Sequence, residues 1–153
     1  MKLVVHLGAP VPMGPYDGAI KVARIALLEI TYPLVALARP LPGSAFVSIR
    51  MPAHDVFHPN IFVDHDQRMC LGDTLPSRIP VTELILLSYC ALQMTTAMID
   101  EKDASLVANC EAAKFYQHNP QLMPLSTTPF LEPDEFCTPG DTEDHNDLVK
   151  HNR

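Results

Sequence analysis

The sequence of 153 residues contains no tryptophan and few basic side chains: 11 lysines and arginines stand against 18 acidic residues, for a net charge of −7. Binding to nucleic acid needs clustered Lys and Arg to contact phosphates, so this balance argues against a nucleic-acid partner. No apolar run reaches the length of a membrane span, and the N-terminus has no charged region followed by an apolar stretch and a cleavage site. We therefore expect a cytoplasmic protein with no membrane partner.

Cysteine is also scarce, with four residues that form no close pair of the kind found in metal knuckles. In a reducing cytosol these side chains are expected to be free thiols. Cys90 and Cys110 lie in apolar helical patterns, which is typical of small core residues. Cys137 lies in a polar, proline-rich tail, so Cys70 is the one cysteine in a loop beside a candidate partner.

The composition is that of one globular domain, with 47% hydrophobic residues. Alternating or β-branched apolar residues predict strands at 1–7, 19–28 and 45–50. Three prolines and three glycines predict a turn or loop over 8–18. Strands that follow one another through short connections favour an antiparallel meander.

Helices are predicted after an irregular segment at 51–79. Pro80 suits a first helical turn, and the apolar stretch 81–98 predicts a central buried helix. A second helix is predicted over 104–118, ended by Pro120. Together with the strands, these helices predict the α+β class.

The C-terminal end differs in composition from the rest. The chain becomes acidic and polar after Pro139. Such segments bury too little apolar surface to fold. We expect a domain over 1–136 and a disordered tail over 137–153.

A proline-containing turn is the feature with most chemical content. Pro59 fixes its own φ and disfavours the helical region for His58, so Phe57-His58-Pro59-Asn60-Ile61 is expected to be rigid. Cys70 follows Asn60 by ten positions. A thiol beside a side-chain amide suits acyl transfer, in which the thiolate carries the acyl group and the amide stabilises an oxyanion.

The motif His58-Pro59-Asn60-Ile61, followed by Cys70-Leu71, resembles the signature of ubiquitin-conjugating enzymes. Roughly three quarters of the chain follows that family's order, and motif matches gain weight from such context. The further elements that resemble the family are Tyr16-Asp17-Gly18, Tyr32-Pro33, Pro80 with the apolar helix after it, Glu111-Ala112-Ala113, Phe115-Tyr116 and Asn119.

The resemblance implies a ubiquitin-conjugating-like fold and a carrier of a ubiquitin-like protein, held as a thioester on Cys70 and passed to a lysine amine. It implies that Asn60 donates to the oxyanion and that His58 is mainly a structural hydrogen-bonding residue. The family often has an acidic residue in the loop after the central helix, where it helps the lysine amine to lose its proton. Asp100, Glu101 and Asp103 occupy that loop here, and Asp103 matches the family's position most closely. The implied partners are the ubiquitin-like protein, an activating enzyme, and a ligase or direct target. Because ATP acts on the activating enzyme, no bound cofactor is expected.

Three features depart from the family pattern. The chain starts almost directly on a strand, without the usual N-terminal helix that docks partners. The loop from Asn60 to Cys70 is slightly long, and the family's tryptophan after the cysteine has no counterpart. These departures favour a bacterial conjugation-like system over a eukaryotic one.

Several alternatives remain open from the sequence. His58 is a candidate general base, because imidazole titrates near neutrality. His54, His58, His65 and Cys70 are side chains of the types that bind zinc, although their spacing matches no common knuckle. A binding module without catalysis is the main alternative function. A thiol hydrolase is a weaker one, since no His and acid pair is identifiable.

Overall fold

The computed structural model describes residues 1–16, 19–94 and 107–124. Within these ranges the chain is of mixed α+β class, as predicted. Short 3-10 turns lie at Leu34–Leu37, Gly43–Ala45 and Pro120–Leu122. The strands and helices are β1 (Lys2–Leu7), β2 (Val11–Tyr16), β3 (Ala19–Ala23), β4 (Ala26–Thr31), β5 (Val47–Met51), α1 (Val81–Leu92) and α2 (Cys110–His118).

The main sheet has the order β1-β4-β5 and is antiparallel throughout. In β4, Ala26, Leu28 and Ile30 are buried while the residues between them are half-buried. This alternation gives the sheet one face that packs on the core. The antiparallel arrangement predicted for this part of the chain is confirmed.

The loop predicted over 8–18 is wrong, because Val11–Tyr16 forms β2, which pairs with β3 in a separate two-stranded sheet. The register of that pair shifts between Met13 and Tyr16, and such irregular pairing accommodates proline within a strand. The single strand predicted over 19–28 is also wrong. At Arg24 and Ile25 the chain leaves the small sheet and enters the main one as β4.

Helix α1 begins after Pro80, whose carbonyl accepts the backbone N–H of Leu84 at 3.1 Å. Its described part ends at Leu92, short of the predicted residue 98. The predicted central buried helix is buried on one face only, since Leu86 is 45% exposed. The side chains that face the core form one stripe: Leu84, Ser88, Ala91 and Leu92.

Helix α2 begins at Cys110 rather than at 104, and residues 107–109 are not helical. Asn109 caps the helix, because its Oδ1 accepts the backbone N–H of Ala112 at 3.0 Å. The helix ends at His118, two residues before Pro120, close to the predicted end.

The buried residues form two clusters. The main cluster packs the inner face of the sheet against α1. The second cluster joins Phe57 and Met94 to Ala112 and Tyr116 of α2. None of the helices in the described ranges has the length and apolarity that a bilayer crossing requires. The predicted tail over 137–153 lies outside the described residues.

Candidate active site

The His58-Pro59-Asn60 segment is a closed turn. The backbone N–H of Ile61 donates to the His58 carbonyl at 3.1 Å, and the backbone N–H of Asn60 donates to His58 Nδ1 at 3.0 Å. Pro59 fixes the backbone between these two contacts. The turn is therefore held both by its main chain and by the imidazole.

Two side chains of the turn hydrogen-bond the C-terminal end of α1. His58 Nε2 lies 3.1 Å from the Leu92 carbonyl oxygen, and Asn60 Nδ2 donates to the Ala91 carbonyl at 3.0 Å. The last carbonyls of a helix lack intrahelical partners, and His58 supplies one to Leu92, whereas the Ala91 carbonyl accepts from Asn60 in addition to the backbone N–H of Met94. The central helix thereby fixes the orientation of the turn.

These contacts define the state of His58. Because Nδ1 accepts a hydrogen bond, the neutral ring carries its proton on Nε2 and donates it to Leu92. Burial lowers the pKa of His58 from 6.5 to about 4, only partly offset by the hydrogen bond to Leu92. The ring has no exposed surface. With both nitrogens occupied, His58 has no route to a substrate proton.

Cys70 lies directly across a short hairpin from the turn. Ile61 and Met69 form an antiparallel bridge, and the backbone N–H of Cys70 donates to the Asn60 carbonyl at 2.8 Å. The thiol of Cys70 is free and its residue is half-buried. The structure therefore brings together the asparagine and the cysteine that the sequence separates by ten positions.

Asn60 retains hydrogen-bonding capacity. Its carboxamide has two N–H groups, and one of them is aimed at the Ala91 carbonyl. The residue is buried, with 9% exposure. A fixed, nearly dry amide is the kind of donor that stabilises an oxyanion, and the backbone of this asparagine is paired with that of Cys70.

Helix α2 contacts the turn through a residue that the sequence analysis did not single out. The backbone N–H of Asn109 donates to the Pro59 carbonyl at 3.0 Å. The Tyr116 hydroxyl donates to the Phe57 carbonyl at 3.3 Å. An asparagine two positions before Glu111 is an N-cap pattern with an acidic first turn, and this signal would have located Asn109.

The remaining candidate residues have different outcomes. Asp103, with Asp100 and Glu101, lies outside the described residues, so its role toward the amine stays a prediction. In the described ranges no group of three or more His, Cys, Asp or Glu side chains is placed to hold a metal ion. Cys90 and Cys110 are half-buried rather than fully in the core.

Comparisons of this chain with protein-family models, with curated proteins and with solved structures found no match. Function is therefore inferred from the residues and from the geometry of the turn and its hairpin.

Proposed function

We propose that this protein carries a ubiquitin-like protein as a thioester on Cys70 and transfers it to a lysine amine of a target. The observation that carries the proposal is the hydrogen bond from the Cys70 backbone N–H to the Asn60 carbonyl, 2.8 Å long. This backbone contact pairs the cysteine with the asparagine of the turn, which supports a joint role for the thiol and the amide. The antiparallel sheet followed by the turn, the cysteine and two helices also follows the order that the resemblance implies, so a ubiquitin-conjugating-like fold belongs to the same proposal.

In the loading step, the Cys70 thiolate attacks the thioester carbonyl of the acyl group on the activating enzyme. A new sulfur–carbon bond forms, and the cysteine of the activating enzyme leaves as a thiolate. This exchange of one thioester for another needs no oxidant and no bound cofactor.

In the transfer step, a neutral lysine amine attacks the thioester carbonyl, and the negative charge moves to the carbonyl oxygen. The second N–H of Asn60 stabilises this oxyanion. The intermediate collapses to an amide, Cys70 leaves as a thiolate, and the surplus amine proton passes to solvent or to an acidic side chain. His58 holds the turn and takes no proton, because burial keeps its pKa low and both nitrogens are bonded.

The experiment is a loading assay with C-terminal thioesters of a panel of ubiquitin-like proteins, which bypass the activating enzyme. We expect a band on a non-reducing gel that disappears with thiol reductant. Cys70→Ala should abolish it, while Cys90→Ser, which removes another half-buried thiol, should leave it unchanged. The same band in the Cys70→Ala protein would contradict the proposal.

The second candidate is a binding module without catalysis, and one observation favours it. Asn60 already bonds the Ala91 carbonyl, so its amide has a structural use that needs no reaction. Asn60→Ala separates the two functions, because loading should persist while transfer to an amine falls about a hundredfold. If the protein binds a ubiquitin-like protein but never acquires the thioester, the binding module becomes the better assignment.

A further inference from the structure

A cleft of about 300 Å³ lies on the side of the turn that faces α2. Phe57, the half-buried Val56 and the 80% exposed Val63 contribute apolar surface to it. Its polar contributors are Asn109, Asp55 and Glu111. No step of the proposed thioester reaction involves this cleft.

Asn109 presents an unused donor to the cleft. The residue is only 5% exposed, and its Oδ1 is occupied by the helix cap. In the described part of the chain, no acceptor lies within hydrogen-bonding distance of its Nδ2, although the residue lines the cleft. This amide donor is therefore available to an acceptor that a ligand brings into the cleft.

The charge of the cleft is negative. Asp55 and Glu111 line it, and no Lys or Arg among the described residues does. Glu111 is exposed and makes no ion pair within the ranges that the structure describes, whereas Asp55 Oδ2 lies 2.8 Å from His54 Nδ1. The ligand should therefore be cationic, and an anion is disfavoured.

The cleft is close to the thiol. The backbone N–H of Asn109 donates to the Pro59 carbonyl, and that of Cys70 donates to the next carbonyl, that of Asn60. Summing the bonds of this path places the two nitrogens less than about 13 Å apart. An extended peptide covers such a span with no more than about four residues.

We propose that this cleft binds a lysine or arginine side chain on an extended segment of the target protein, about four residues from the lysine that receives the acyl group. The cation lies between Asp55 and Glu111, and a main-chain carbonyl of the segment accepts from Asn109 Nδ2. Apolar side chains of the segment pack on Val63 and Phe57. This assignment of substrate rests on the proposed function for its acceptor lysine, but the binding step does not require a thioester.

The first test measures binding by the full-length, uncharged protein. The probe is a capped nine-residue peptide of Gly, Ala and Val with one arginine and, four positions later, one lysine. The matched probe has citrulline, which is neutral and nearly the same shape, in place of arginine. We expect the arginine peptide to shift the amide resonances of Val63, Asn109 and Glu111 in an NMR titration, and the citrulline peptide to bind at least threefold more weakly.

Variants then test the contacts. Glu111→Gln should weaken the arginine peptide about threefold to fivefold, the range of an exposed ion pair, and the loss should shrink at high salt. Glu83→Gln removes an equally exposed acidic charge from the first turn of α1 and should change nothing. Asn109→Ser keeps the helix cap but removes the amide donor, so it should also weaken binding.

Two outcomes would overturn the cleft assignment: equal affinity for the arginine and citrulline peptides, or resonance shifts confined to residues away from the cleft. Failure of the proposed function looks different. In that case the protein would select the arginine peptide without ever loading on Cys70. If both hold, Glu111→Gln should raise the KM for transfer to the peptide lysine, while Glu83→Gln should load Cys70 and transfer with the KM of the wild type.

Discussion

His58 has no exposed surface and makes hydrogen bonds through both ring nitrogens. Such a residue stabilises the fold only in its neutral form, because a protonated Nδ1 would lose its acceptor role toward Asn60. The pKa of His58 is lowered to about 4 in the folded chain, mainly by burial, whereas an unfolded histidine titrates near 6.5. The unfolded state therefore binds more protons between these two values.

From this difference we expect stability to be fully present above about pH 6.5 and to be lost as pH falls toward about 4. The lowered pKa of His58 contributes about 3 kcal/mol to the free energy of unfolding, of which about 2 kcal/mol is lost between pH 7 and pH 5. Urea unfolding of the wild type at both pH values measures the change. His58→Gln, which cannot titrate, should start less stable at pH 7 and lose much less on acidification.

His6→Gln is the matched control, because His6 is an exposed histidine on β1. That variant should keep the full pH dependence of the wild type. If it flattens the pH dependence as much as His58→Gln does, or if NMR titration of the wild type shows His58 protonating near 6.5, the buried neutral imidazole is the wrong explanation.

At the scale of single residues, the turn and the proximity of Asn60 and Cys70 could be predicted from local signals. Pro59 restricts the backbone of its neighbours, and the motif that the segment resembles places a cysteine shortly after the asparagine. The acceptors of the two side chains could not be predicted in that way. Ala91 and Leu92 lie more than 30 residues further along the chain, as the sequence separations of 31 and 34 show. Only the packing of α1 on the sheet determines which carbonyls meet the turn.

At the scale of helices and strands, features set by local signals could likewise be predicted, and features set by distant contacts could not. Pro80 and Pro120 mark helix limits locally, so the start of α1 and the end of α2 were predicted closely. The strands β3 and β4 were not separated, because Arg24 and Ile25 carry no glycine or proline signal. The break arises where the chain exchanges β2 for β1 as its pairing partner, and that choice depends on residues outside the local segment, at 2–7.

The backbone segments around Gly43 and Gly72 approach each other closely, and this contact can be tested by substitution. The N–H of Gly43 donates to the Gly72 carbonyl at 3.1 Å, and an added Cβ at Gly43 would overlap that same carbonyl. The backbone cannot yield as a flexible side chain does, so Gly43→Ala should destabilise the protein by about 2–4 kcal/mol. Because Gly72 lies two residues after Cys70, loading of the thiol should fall as well.

Gly8→Ala is the control, since a Cβ there meets no heavy atom within 4 Å. Urea unfolding should place it within about 0.5 kcal/mol of the wild type, and its loading should be normal. Equal stability of the two alanine variants would show that the contact between Gly43 and Gly72 does not constrain the segment after Cys70.

At the scale of the whole molecule, the His58-Pro59-Asn60 turn joins the two hydrophobic clusters. On one side it bonds Ala91 and Leu92, which belong to the main cluster. On the other side, Pro59 accepts from Asn109 at the start of α2, and α2 contributes to the second cluster. The buried turn thus contacts both clusters, and Met94 of the second cluster also donates to the Ala91 carbonyl, which argues that the clusters unfold together.

Tyrosine reports on each cluster separately. Tyr32 packs edge-on against Phe46 of the main cluster, with ring centroids 5.9 Å apart, and Tyr116 is fully buried in the second. With fluorotyrosine at all 4 tyrosines, fluorine NMR should give the same urea midpoint for both rings, as two-state unfolding requires. His58→Ala removes the hydrogen bond from the turn to Leu92 and leaves only that of Asn60 to Ala91, so Tyr116 should then unfold at lower urea than Tyr32. Separate midpoints already in the wild type would mean that the turn does not couple the clusters, and that α2 can leave the domain while the sheet and α1 remain folded.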